Sequence, residues 1–230
     1  FSSADKLILQ AGISQANIFG SGNTVGVQVN QGSFSRVLSM SFTQPYYTVD
    51  GVSRGFDVYN RMIDANVLLL GHYTTNALGA GVRYGIPMTE VDTIGLGISA
   101  ERTKLGLFSD SPVRLLNFEN LYGSEYSFLI GTAGWTKDTR DSVIWTTRGH
   151  VQRVTSEVTF PVGDLRYYKV GYEHQWFYPL SQTFTLMLRG DVGVGDGMSG
   201  KPLPFFKNYY AGGVSSVRGY NTSSLGPRDA

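Results

Sequence analysis

Ten stretches of this 230-residue chain alternate apolar and polar side chains with a period of two residues. Successive side chains of a β-strand point to opposite faces, so this period is typical of strands with one apolar and one polar face. In the seventh stretch, Phe128 and Ile130 take the apolar positions. The chain is therefore predicted to be all-β. The alternating stretches lie around residues 6–14, 25–30, 38–43, 55–63, 78–86, 94–98, 128–130, 153–160, 169–178 and 184–194.

The composition agrees with an all-β fold but does not show whether the fold is surrounded by lipid or by water. The chain has 29 Gly and 14 Tyr but only 16% charged residues. Glycine destabilises helix interiors, and aromatic residues favour strands. The longest clean apolar run, residues 67–70, is far shorter than the ~18 residues of a membrane helix. The chain does not begin with a signal-peptide pattern, so it could be a mature, a trimmed or a cytosolic protein.

Two all-β architectures fit the alternation. In a soluble sandwich the apolar faces would pack against each other, whereas in a barrel they would face lipid and the polar faces would enclose a lumen. An antiparallel transmembrane β-barrel is favoured because several stretches run about ten residues, connections alternate between short and long, and aromatic residues gather near strand ends. The aromatic residues expected in such an interfacial girdle are Phe19, Tyr46, Tyr47, Trp145, Phe177 and Tyr178.

The connections carry residues suited to chain reversal. Short turns are predicted at residues 20–23, 47–53, 87–92, 137–147 and 179–183. The longest loop, residues 106–125, contains a predicted helix over 113–122. Ser111 is expected to be its N-cap, Pro112 its first helical residue and Gly123 the residue after its end. We find no sign of a domain boundary and expect one domain.

The sequence offers no catalytic or cofactor site that can be argued from spacing. His72, His150 and His174 stand far apart without the spacing of metal ligands, and the chain has no cysteine. Residues 195–201 match the first seven positions of a phosphate-binding loop, but Pro202 stands where the magnesium-binding hydroxyl is needed. We expect neither an enzyme nor a cofactor, and the formal charge of +1 gives no reason to expect nucleic acid as a partner.

Carboxylates and basic residues share the polar faces of the later strands. These charged positions are Arg153, Glu157, Lys169, Glu173, Arg189 and Asp191. Such residues could form an acid/base pair. Mixed charges are also well solvated in the wet interior of a barrel, which is the interpretation we adopt.

Residues 205–229 do not alternate as a lipid-facing strand should. Their Gly, Ser and Pro content favours a long structured loop. Arg218 stands between Val217 and Gly219, and a single arginine in such a loop suits insertion into a polar cavity. Glycine permits close approach of the backbone, and the guanidinium can bind buried carboxylates in a bidentate way.

The four residues Val217, Arg218, Gly219 and Tyr220 resemble the VRGF/Y motif of loop six in the Omp85 superfamily. Residues flanking this motif resemble the same family, as do three earlier stretches. The flanking residues are Gly212, Gly213, Leu225, Gly226, Pro227, Arg228 and Asp229. The earlier stretches are residues 15–22, residues 45–53, and Asp196-Gly197 with the Gly200-Lys201 that follows. The resemblance covers essentially the whole chain.

This resemblance implies a sixteen-stranded barrel preceded by periplasmic POTRA domains. On that fold, residues 1–230 resemble one incomplete barrel domain, strands two to eleven and the first part of loop six. The POTRA domains, strand one and strands twelve to sixteen have no counterpart in the chain. The acidic residues that pair with the family's loop-six arginine would lie on those strands, so the partners of Arg218 stay unnamed. The chain alone is not expected to form the native closed barrel.

The resemblance also implies a function. The members that this chain is most similar to fold β-barrel proteins and insert them into the bacterial outer membrane through a lateral seam. The implied partners are the lipid bilayer, unfolded outer-membrane protein clients, and accessory assembly lipoproteins that act through POTRA domains. The alternative is a two-partner secretion exporter or another polypeptide translocator of the superfamily. A porin and a soluble carbohydrate-binding module are further alternatives.

Overall fold

The computed structural model describes residues 9–66, 72–213, 216–221 and 224–225. The helix α1 (Val113–Tyr122) lies in the connection between the sixth and seventh strands, and short 3₁₀ turns lie at Ile18–Gly20 and Phe205–Lys207. Among the described residues, no helix is both long and apolar enough to cross a membrane. The strands are β1 (Leu9–Gln15), β2 (Thr24–Gln31), β3 (Ser35–Gln44), β4 (Ser53–Asp64), β5 (Tyr73–Pro87), β6 (Asp92–Leu107), β7 (Glu125–Asp138), β8 (Gly149–Thr159), β9 (Tyr167–Pro179) and β10 (Thr185–Gly197).

All ten strands form one antiparallel sheet in chain order, from β1 to β10. This up-and-down order is that of barrel proteins whose consecutive strands are joined by hairpins. Within the described residues β1 and β10 do not pair with each other, so the sheet is open. The prediction of an all-β antiparallel fold is confirmed.

The strands are long. β5, β6 and β7 contain 15, 16 and 14 residues, whereas strands of soluble sheets usually have about five or six. A strand that crosses a bilayer at a tilt needs about nine to eleven residues. From β3 onward every strand has at least ten residues, which suits a membrane span.

The two faces of the sheet differ in chemistry. Val58, Ala80 and Ala100 lie in one row across β4, β5 and β6, on the face that we call outer. The opposite, inner face carries Glu101 and most of the charged residues of the later strands. Val58 is 52% exposed and Val192 is 72% exposed, because no second sheet of the described residues covers the outer face. A soluble sandwich would bury these side chains, whereas contact with lipid requires them to be exposed in the isolated chain.

The seventh alternating stretch was predicted with the wrong face outward. Phe128 lies opposite Glu101 in the register of β6 and β7, so Phe128 and Ile130 point to the inner side. Both are buried, in a cluster of aromatic and aliphatic side chains. The outward positions are taken by Leu129 and Gly131. Alternation identifies two faces, but here the inner side has an apolar core of its own.

The aromatic residues of the expected girdle gather at the end of the sheet where the β1–β2, β3–β4 and β7–β8 turns lie. Phe19, Tyr46 and Trp145 are largely exposed in those turns. Tyr178 lies on the outer face of β9, with its ring centroid 5.8 Å from that of Trp176. Contact of these residues with a membrane interface stays a prediction.

The assignment of Phe177 to the girdle is wrong. It pairs with Gly149 and is half-buried. Side chains alternate along β9, so Phe177 lies on the inner face together with Glu173, which is on the same strand and separated from it by an even number of positions. A position near a strand end therefore does not by itself place an aromatic side chain towards lipid.

The five short turns lie where the sequence predicts them, but loop length does not alternate strictly. Residues 32–34 connect β2 and β3 at the end opposite the short turns, although they number only three. Residues 139–148, at the short-turn end, number ten. The apolar run at residues 67–70 lies outside the described residues.

Helix α1 has the predicted bounds but begins differently. Pro112, with φ −52° and ψ 141°, is its N-cap, not its first helical residue. The hydroxyl of Ser111 instead donates to the carbonyl of His72 and accepts from the N–H of Phe108, so it closes the base of the loop. Gly123 follows the helix with φ 83°, as predicted, and its N–H donates to the carbonyl of Glu119.

A charged side chain introduced on the outer face tests which face of the sheet contacts lipid. In the complete protein in a bilayer, Ile98→Lys is expected to lower the free energy of unfolding by about 2–4 kcal/mol, because the ammonium would enter hydrocarbon. Ser99→Lys, one residue away at the same depth but on the inner face, is expected to change it by less than about 1 kcal/mol. Guanidinium unfolding in vesicles measures both. Equal effects would contradict the assignment.

Candidate functional site: the segment docked on the inner face

The inner face of the later strands carries ion pairs between neighbouring strands. Arg153 lies 3.6 Å from Glu173, and Arg189 lies 3.4 Å from the same carboxylate. Arg189 also contacts Asp191 at 3.0 Å. A cavity of about 580 Å³ lies farther along the same sheet, where Glu157, Lys169 and Tyr209 line it. Mixed charge on this face agrees with a wet interior.

After β10 the chain turns back over the inner face. The N–H of Met198 donates to the carbonyl of Arg166 at 2.8 Å, and the Lys201 ammonium donates to the carbonyl of Asp164. The chain then runs along the sheet as residues 203–210, which we call the docked segment. This agrees with the predicted long structured loop. The phosphate-loop match at residues 195–201 spans the end of β10 and a turn, with no helix behind it in the described chain.

Aromatic packing holds one end of the docked segment. The ring of Phe205 lies 4.9 Å from Tyr73 and 5.3 Å from Phe118, both in edge-on contact. Phe206 lies 5.7 Å from Tyr126. Such pairs add about 0.5–1.5 kcal/mol each beyond their buried area. Helix α1, which supplies Phe118, and the docked segment therefore share one core on the inner side of the sheet.

A buried ion pair lies at the centre of the docked segment. The Lys207 ammonium is 2.9 Å from Glu101 Oε1, and the two side chains are 20% and 4% exposed. The Tyr59 hydroxyl donates to Glu101 Oε2 at 2.6 Å, and the Thr103 hydroxyl donates to Oε1 at 3.2 Å. A carboxylate removed from water is tolerated when it is paired and hydrogen-bonded, as here. Neither Glu101 nor Lys207 is predicted as a site residue by any motif or spacing in the sequence.

Tyr209 lies flat against glycine. A Cβ added to Gly193 would come within 2.9–3.0 Å of its ring atoms, so only glycine permits this approach. Its hydroxyl donates to the carbonyl of Val170 at 3.2 Å, and the Lys169 ammonium lies 4.2 Å from the ring centroid. Burial, and then the carboxylate of Glu157, raise the pKa of Tyr209 above its ordinary value.

The residues of the loop-six motif follow the docked segment. Gly212 and Gly213 are buried, with φ of 118° and 98°. Ala211 pairs with Leu225 in an isolated antiparallel bridge. The motif itself, residues 217–220, forms an exposed turn, which we call the tip. Gly226, Pro227, Arg228 and Asp229 lie outside the described residues.

Arg218 is not the buried cation of this chain. It is exposed, and no carboxylate among the described residues forms an ion pair with it. Among the described residues, Lys207 is the cation that pairs with the buried Glu101 carboxylate. The acidic partners implied for Arg218 belong to strands that the resemblance puts outside this chain, so its role stays a prediction.

The histidines form no metal site in the described part of the chain, where no group of three potential ligands was found. The ring centroids of His150 and His174 are nevertheless only 5.9 Å apart. The β8–β9 pairing brings these two histidines together although they are 24 positions apart in the sequence.

Comparison with known proteins identifies the family. The Omp85 superfamily domain matches residues 17–230. The outer membrane protein assembly factor BamA of Neisseria meningitidis serogroup B is 39% identical over 96% of this chain and 29% of its own length. The protein of the same name from Nitratidesulfovibrio vulgaris is 26% identical over 94% of this chain and 27% of its own length.

Solved structures agree. BamA from Haemophilus ducreyi lacking POTRA domains 1–3 superposes with a TM-score of 0.92 at 26% identity, over 99% of this chain and 45% of that one. CdiB from Acinetobacter baumannii superposes with a TM-score of 0.54 at 13% identity, over 94% of this chain and 40% of that one, and so shares the fold alone. The chain spans less than a third of the length of the two assembly factors. It belongs to the Omp85 superfamily.

Proposed function

We propose that this chain is part of an outer-membrane protein assembly factor, which folds β-barrel proteins and inserts them into the bacterial outer membrane through a lateral seam. The observation that carries this proposal is its backbone likeness to BamA, with a TM-score of 0.92 against 0.54 for CdiB. The 39% identity to the Neisseria assembly factor supports it independently.

We infer that residues 1–230 supply strands two to eleven of a sixteen-stranded barrel and the first part of loop six. The open sheet supports this inference, because both edge strands lack a second partner among the described residues. Coverage of only 45% of the Haemophilus chain supports it as well. The remaining strands and the POTRA domains belong to other parts of the complete protein.

The activity needs no covalent chemistry. Lipid cannot satisfy backbone N–H and C=O groups, so a strand edge exposed at a weak seam is a template for an incoming hairpin. Thinner lipid around such a seam lowers the cost of insertion. The partners are therefore the bilayer and unfolded outer-membrane clients, with accessory lipoproteins acting through POTRA domains.

The second candidate function is polypeptide export, as by a two-partner secretion protein or another translocator of the Omp85 superfamily to which the chain belongs. Reconstitution of the complete protein in vesicles separates the two. An assembly factor is expected to leave an added unfolded barrel protein in the membrane, folded and heat-modifiable. Delivery of that client through the membrane without its insertion would contradict the proposal.

The loop-six motif provides a sharper prediction. In the complete protein, Arg218→Ala is expected to raise the rate of chymotryptic cleavage after Tyr220 about tenfold, because a charge-assisted hydrogen bond contributes roughly 1.5–3 kcal/mol. Client insertion should fall with it. Arg102→Ala, which removes an exposed pair with Glu125, is the control and should change neither. Wild-type cleavage and insertion by the Arg218 variant would contradict a role for the motif.

A further inference from the structure

The docked segment makes its contacts with strands that belong to this chain. Lys207 meets Glu101 on β6, the Phe205 ring meets Tyr73 on β5, and Tyr209 lies on Gly193 of β10. The segment therefore spans the sheet from β5 to β10. None of these contacts requires the strands that the proposed function assigns to the rest of the barrel.

We propose that Lys207, Glu101 and Tyr59 form a latch that fixes the docked segment to the barrel wall. Loop six then has a fixed base, which is the docked segment (residues 203–210), and a separate tip at residues 217–220. The inference rests on the proposed function for the identity of the loop. It assigns the anchoring of the base to Lys207, and it leaves Arg218 to act in the tip alone.

The register of the strands brings the residues of the latch together. Tyr59, Gly79, Glu101 and Phe128 lie opposite one another on four successive strands, from β4 to β7. A Cβ added to Gly79 would come within 2.5 Å of the Tyr59 ring. Glycine at this position therefore lets the Tyr59 side chain cross β5 and place its hydroxyl on the carboxylate of β6.

The carboxylate of Glu101 is fully engaged. Lys207 and Thr103 donate to Oε1, and Tyr59 donates to Oε2. The Lys207 ammonium also lies 5.5 Å and 5.8 Å from the ring centroids of Phe128 and Tyr167, within the range of a cation–π contact. Loss of the Lys207 ammonium while the segment stays docked would leave the buried Glu101 carboxylate without its ion-pair partner, which is strongly unfavourable. The base is therefore held firmly.

The boundary between base and tip is at Gly212 and Gly213. Their positive φ values are strained for other residues, so glycine permits this change of backbone direction. The antiparallel bridge between Ala211 and Leu225 then closes the loop that contains the tip. Between the two bridge residues, residues 216–220 are exposed, whereas in the docked segment Phe205 is buried and Tyr209 and Tyr210 are about half exposed. The latch thus sets where the tip begins.

Chymotryptic cleavage of the complete protein in vesicles tests the latch. Lys207→Met is expected to raise the rate of cleavage after Phe205 and Phe206 about a hundredfold, since it leaves Glu101 unpaired. The exchanged pair, Lys207→Glu with Glu101→Lys, should restore most of the protection that Lys207→Glu alone removes. A Lys207→Met rate within twofold of wild type, or an exchanged pair no better protected than Lys207→Glu alone, would overturn the proposal.

A glycine pair gives a second test that does not disturb the buried charge. Gly193→Ala should displace the Tyr209 ring and raise cleavage after Tyr209 severalfold. Gly190→Ala on the same strand is the matched control, because an added Cβ there meets nothing within 4 Å. Equal cleavage of the two variants would contradict the docked position of the base. The heat-modifiability of each variant on gels verifies that its barrel is folded.

Two outcomes separate the latch from the proposed function. Arg218→Ala should leave cleavage after Phe205 unchanged, because the base is held without the tip, and faster cleavage there would overturn the division of the loop. Client insertion is measured in the same vesicles. If wild type inserts no client but Lys207→Met still loses its protection, the proposed function fails and the latch stands.

Discussion

A strand in hydrocarbon must find hydrogen-bond partners for its backbone within the protein, because lipid offers none. The single ten-stranded sheet meets this demand for β2 to β9 by pairing each strand with both of its neighbours, while β1 and β10 each have one partner among the described residues. Since the paired backbone is satisfied within the sheet, the outer face can carry apolar side chains such as Val58 and Ile98 without a covering layer. Polar side chains are then confined to the inner face, and the loops must fold over that face or leave the barrel.

The inner face is therefore where this chain builds its core. The docked segment places Phe205 between Tyr73 of β5 and Phe118 of helix α1, and this packing replaces the second layer that a soluble sheet would have. Beside it, the Lys207–Glu101 pair places a charge in a nearly closed environment. The apolar cluster and the ion pair together make the inner side a docking surface for the chain's own C-terminal part, which agrees with a braced barrel rather than an open pore.

Much of the fold could be predicted because strand alternation is a local property. The period of two gave the strands and, for most of them, the face that turns outward. It could not tell which face of β7 is inside, since Phe128 and Ile130 face an inner core formed by distant parts of the chain. Ser111 was misassigned for a similar reason: its hydroxyl donates to the backbone carbonyl of His72, 39 residues away.

The candidate site was less predictable. The sequence drew attention to Arg218 through a motif, yet the buried cation is Lys207, whose partner Glu101 is 106 residues away. No spacing rule links two residues that meet only after a loop folds back over a sheet. Glycine could have been a signal, because Gly79 and Gly193 lie under the rings of Tyr59 and Tyr209.

The central claim is that the outer face touches acyl chains and the inner face touches water. Nitroxide labels placed singly along β6, in a cysteine-free version of the complete protein in vesicles, test it most directly. Collision with oxygen should peak at Leu96, Ile98 and Ala100, and collision with a water-soluble nickel chelate should peak at the residues between them. Equal access along the strand, or oxygen and nickel peaks on the opposite faces, would contradict it.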